Sequence, residues 1–60
     1  MNDQYSKLIE LLDLWDSERK TSYAQSTLRN LMVGALCMAL KLDIINSKKC
    51  QELRDKYSLN

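Results

Sequence analysis

Apolar side chains recur in the first part of the chain at helical spacing: Tyr5, Leu8, Ile9, Leu12 and Trp15 follow one another at three and four residues, and Leu11 and Leu14 widen the stripe. A helix turns once in about 3.6 residues, so this rhythm gathers them on one face. Glu10, Asp13 and Ser17 fall on the opposite face, which is expected to be solvated. Asn2 or Asp3 is suited to cap the N-terminus. Beyond Trp15 the pattern loses phase, since a helix that simply continued would turn Asp16 and Arg19 onto the apolar side. The polar segment Ser17-Glu18-Arg19-Lys20-Thr21-Ser22 therefore reads as the first connection.

Ser22 followed three residues later by Gln25 has the form of a capping box, which predicts a second helix beginning near Tyr23. Its stripe is Ala24, Leu28, Leu31, Ala35, Ala39 and Leu42, while Met32, Val33, Leu36, Cys37, Met38 and Leu40 carry apolar surface around the other sides. Residues 31–40 contain no polar side chain other than the weakly polar thiol of Cys37. A helix that is apolar all round is expected to be buried all round, and two short partner helices cannot supply that cover. The surplus is assigned to a second copy of the chain, with Leu28, Leu31, Met32, Gly34, Ala35, Leu36, Met38 and Ala39 as the expected dimer interface. Gly34 costs such a helix about 1 kcal/mol relative to alanine. Close approach of another helix beside Ala35 and Ala39 would offset this; the alternative is that Gly34 is tolerated beside a bulky Trp15 or Tyr57.

A third helix is signalled by Ile44-Ile45-Asn46-Ser47, in which Asn46 or Ser47 caps and Ile45 and Cys50 stand at the staple positions. Cys50, Leu53 and Tyr57 then point inward, and Lys49, Glu52, Arg54, Asp55 and Lys56 outward. Lys48 and Lys49 in the first turn oppose the helix dipole. With no period-2 alternation, linker or repeat, the expected architecture is all-α: one domain over residues 1–60, a three-helix unit with a long central helix and two shorter flanking ones, its core completed by homodimerisation. A chain of 60 residues buries only about 60 % of its unfolded surface, which makes such help valuable.

Composition narrows the function classes. The chain has no histidine, no proline, one glycine and two cysteines. Lack of histidine removes the usual proton shuttle near neutral pH, one glycine excludes a glycine-rich phosphate loop, and two thiols fall short of a four-ligand zinc set. No enzyme, cofactor, metal or small-molecule substrate is expected. Glu10 and Asp13, three apart on one face, have the spacing of paired carboxylates but also of an ordinary solvated face. Cys37, inside the apolar run, is expected to be an inert small hydrophobe, and Cys50 a staple residue rather than a reactive thiolate. The apolar run is shorter than the roughly 20 residues that cross a bilayer, and no secretory signal opens the sequence. A reduced, cytoplasmic chain without a membrane partner is the expectation.

The net charge of +1 hides an uneven distribution: residues 1–18 carry −4 and residues 19–60 carry +5. Such asymmetry either docks the chain's own parts or steers an external partner. The methionine-rich apolar excess favours protein binding, as a regulator or adaptor working as a homodimer. Trp15, Arg19 and Tyr23 form the candidate contact patch for an outside protein, because tryptophan, tyrosine and arginine concentrate binding energy. The rival reading is a dimeric nucleic-acid binder, with Lys41, Lys48 and Lys49 around the second connection and Arg19, Lys20 and Arg29 around the first. A short turn between the second and third helices allows a helix-turn-helix in outline, although it lacks the glycine often found there.

Overall fold

The periodic segments become α1 (Asp3–Arg19), α2 (Gln25–Lys41) and α3 (Ser47–Lys56) in a computed structural model that describes residues 3–21 and 23–59. The short connection 20–24 folds α2 back along α1, and α3 closes one side of this hairpin. No strand occurs among the described residues, and no helix there is long and apolar enough to cross a membrane.

The central helix is not the longest element. α1 and α2 each contain 17 residues, because α1 continues through the segment where its pattern loses phase. Asp16 and Arg19 do turn toward the inner side, and the fold makes this tolerable by pairing them. Arg19 donates through Nε to Asp16 Oδ1 at 2.9 Å and through Nη2 to the backbone carbonyl of Tyr57. A partly buried cation satisfied by a carboxylate and a carbonyl no longer breaks the helix that carries it.

α2 begins at Gln25, two residues beyond its expected start near Tyr23, and the expected capping box rests on a residue that is not described. Ser22 lies outside the described residues, as does Asn2 at the start of α1. The N-cap of α2 is Ala24, which contributes no side-chain hydrogen bond, and Tyr23 precedes the helix. At α3 the expected cap forms: Asn46 is extended, and its Oδ1 accepts from the backbone N–H of Lys49 at 2.8 Å. Ile45 and Cys50, the staple pair, are both buried.

α2 and α3 end in the same way. After α2, Asp43 N–H reaches the carbonyl of Leu40 at 3.2 Å and Ile44 N–H that of Ala39 at 2.9 Å. After α3, Ser58 N–H reaches Asp55 at 3.3 Å and Leu59 N–H reaches Arg54 at 2.8 Å. Each is a Schellman closure, with Asp43 (φ 59°) and Ser58 (φ 56°) in the left-handed conformation that glycine usually supplies. The second closure turns Leu59 back into the interior, where it is fully buried.

The core consists of Leu8 and Leu12 from α1, Met32, Leu36 and Ala39 from α2, and Cys50, Leu53 and Tyr57 from α3 and its end, with Ile45 and Leu59 from the adjoining turns. Tyr5, Ile9 and Trp15 pack against its edge. The stripe of α2 is rotated from the expected one: Ala24, Leu31 and Leu42 stay exposed while Met32 and Leu36 take the interior. Leu11 and Leu14 do not join the core of α1, and Cys37, expected in the apolar interior, is exposed. A helix apolar on every side offers several equivalent faces, and the position of α1 decides which is covered.

Candidate functional site

The candidate site follows from where α3 sits. Tyr57 Oη donates to Asp13, Arg19 reaches the Tyr57 carbonyl, Lys49 Nζ lies 5.9 Å from the centre of the Tyr5 ring, and Arg29 Nη2 donates to the Leu59 carbonyl at 3.0 Å. These contacts place α3 and its C-terminal turn over the sides of α1 and α2 that carry Tyr5, Asp13 and Arg29. At 3.6 residues per turn, Leu11 and Leu14 lie on the other flank of the Leu8–Leu12 line, and Leu31, Ala35, Met38 and Leu42 on the other flank of the Met32–Leu36–Ala39 line. α2 runs back along α1, so these flanks meet on the side of the hairpin opposite α3.

That side is uncovered. Leu31 is 46 % exposed, Met38 58 %, Leu42 62 % and Leu14 55 %. Singly exposed apolar residues are ordinary; here such residues from two helices lie on the same side of the hairpin. Gly34 lies on the exposed side of α2, and a Cβ built there meets nothing within 4 Å. Neither a bulky neighbour nor another helix of this chain explains the glycine.

The residues expected at a dimer interface thus divide into three groups. Met32, Leu36 and Ala39 are consumed by the chain's own core, Leu28 and Ala35 are half-buried at its edge, and Leu31, Gly34 and Met38 face outward. Leu11, Leu14 and Leu42 were not singled out for such an interface, and join the open face because α1 and α2 present them together. The widened apolar stripe of α1 was the signal that could have found the first two.

Trp15, Arg19 and Tyr23 have three different settings. Trp15 is half-buried against the core, Arg19 is engaged by Asp16 and Tyr57, and Tyr23 is fully exposed. Lys41 and Lys48 are exposed, while Lys49 is half-buried, 3.8 Å from Glu52 and over the Tyr5 ring. Glu10 and Asp13 do not act as a pair: Asp13 accepts from the buried Tyr57 hydroxyl. Burial, and then the hydrogen bond to Asp13, push the Tyr57 phenol well above its ordinary range.

The chain matches no protein-family model, no curated protein and no solved structure. The physical character of its surfaces therefore carries the functional argument.

Proposed function

We propose that this chain is a non-catalytic helical protein that acts by protein–protein binding, through the open side of the α1–α2 hairpin, and that a second copy is its first occupant. The observation that carries the reading is the joint exposure of Leu14, Leu31, Met38 and Leu42 on the side opposite α3. Gly34, beside Leu31 and Met38 at the edge of this face, lets a helix backbone approach closely, which accounts for a residue that its own fold leaves unexplained. A two-fold arrangement of hairpins makes such a face self-complementary. Methionine at its centre adapts to an imperfectly matched surface, so the same face suits a regulator or adaptor that exchanges partners.

Sedimentation across a concentration series tests the proposal. The wild-type chain is expected to sediment at twice its 7.0 kDa mass at micromolar concentrations, and Met38→Glu at the monomer mass. Met38 is outside the core, so its variant keeps the helical circular dichroism that a charge at Leu36 would destroy. A wild-type monomer at high micromolar concentration overturns self-association.

A further inference from the structure

At the end of the molecule where α1 stops, α2 begins and the turn after α3 returns, the chain leaves a cavity of about 440 Å³ lined by Arg19, Lys20, Gln25, Ser26, Arg29 and Ser58. Three of these residues are cations and none is acidic. The two arginines are held in place chiefly by groups that orient them. Arg19 reaches the Tyr57 carbonyl and Arg29 Nη2 the Leu59 carbonyl at 3.0 Å. A carbonyl fixes the guanidinium plane without cancelling its charge, and each guanidinium has five N–H donors, so further donors remain available. Among the described residues, Asp16 answers these cations with a carboxylate, at 2.8 Å from Arg19 and 3.4 Å from Lys20. Arg19, Lys20, Arg29 and Asp16 together carry a charge of +2.

The first turn of α2 adds to this field. It contains no acidic residue, and the positive end of the helix dipole borders the cavity. Ser26, Ser58 and Gln25 supply neutral donors from two directions. The second connection shares the lack of an acidic residue in the first turn of its helix but differs in its cap and in its lysine. Asn46 occupies the cap of α3, and Lys49 is already placed beside Glu52 and Tyr5.

We propose that this cavity binds a phosphomonoester dianion. A net charge of +2 matches the ligand's charge, and donors arriving from α1, α2 and the C-terminal turn suit tetrahedral phosphate oxygens better than the flat edge of a carboxylate. The cavity is larger than a bare phosphate group and leaves room for the ester's organic part. No glycine-rich loop is required, because side-chain cations provide most of the field.

Titration of the full chain with glycerol phosphate at pH 7.5, read by calorimetry and phosphorus NMR at constant ionic strength, tests the proposal. Saturable binding is expected, weakened at least tenfold in Lys20→Gln and Arg29→Gln and unchanged in the Lys48→Gln, Lys49→Gln double variant. Lys20 is an exposed side chain, so Lys20→Gln keeps the fold even if loss of the Arg29 contact to Leu59 unsettles the other variant. Affinity should also fall on acidification through about pH 6, where a monoester takes up its second proton. Absence of saturable binding in the wild type, or wild-type affinity in folded Lys20→Gln, overturns the proposal.

Discussion

Asp43 and Ser58 occupy a backbone conformation that costs an L-residue roughly 1–2 kcal/mol, less for aspartate because its short side chain tolerates the left-handed region. Both are retained because each closes a helix and sends the next apolar residue, Ile44 or Leu59, back toward the core. Glycine relieves the crowding at Cβ but adds freedom to the unfolded chain, so Ser58→Gly should stabilise by about 0.5–1 kcal/mol and Asp43→Gly by less. Urea midpoints with unchanged slopes check this. Tyr57 makes a pH-dependent contribution at the same scale. Its folded phenol holds its proton above the unfolded value of about 10, so the unfolded state loses a proton first and stability declines as pH rises beyond 10. One such group gives a slope of at most about 1.4 kcal/mol per pH unit. Urea midpoints measured by circular dichroism from pH 9 to 12 should fall in the wild type and be flatter in Tyr57→Phe, which should also lose about 1 kcal/mol at neutral pH with its hydrogen bond to Asp13.

Among the elements, α2 has the most unusual surface. Its core face needs only Met32, Leu36 and Ala39, yet apolar residues continue around it to Leu31, Met38 and Leu42. Gly34 is the sensitive probe of that outer side. A methyl group there meets open space, so Gly34→Ala should raise the urea midpoint of the dilute chain by the equivalent of about 0.5–1 kcal/mol through reduced unfolded-state entropy. Where the chain associates, the same methyl separates the packed backbones, and the gain should shrink or reverse as concentration rises. A gain independent of concentration would place the contact elsewhere on the hairpin. α1 shows the converse relation between pattern and structure: its helix runs past the point where periodicity fails, because Asp16, Arg19 and the Tyr57 carbonyl satisfy one another.

For the whole molecule, two surfaces lie on different parts of a small body whose extents are 34 × 21 × 16 Å. One is the apolar side of the hairpin opposite α3, and the other is the basic cavity where both connected ends meet the C-terminal turn. Met38→Glu should abolish self-association without altering phosphate binding, and Lys20→Gln should weaken phosphate binding without altering self-association. Paired sedimentation and calorimetry on both variants would establish whether the two surfaces act independently. Simultaneous loss of both activities in either variant would instead indicate that the dimer completes the cavity.

Helix number, helical class and the inward set of α3 were legible in the residues, because amphipathic periodicity and the Asn46 cap act within a few residues of one another. The core phase of α2 was not legible, since a segment apolar on all sides contains no contrast from which to choose a face. Nor were the ends of α1 and α3 legible: Asp16 and Arg19 look misplaced until Tyr57, distant in sequence, returns to them. Leu59 joined no periodic stripe, and only the left-handed turn at Ser58 carries it into the core. Of the expected interface, the sequence showed that apolar surface exceeds what this chain can cover. Packing then determined that Met32, Leu36 and Ala39 are inside and Leu31, Gly34 and Met38 outside. The basic residues of the first connection were visible as a cluster in sequence, but their cavity exists only because the turn after α3 returns beside Arg19 and Arg29. Local pattern determines which segments fold into helices; non-local packing determines which of their faces remain available for binding.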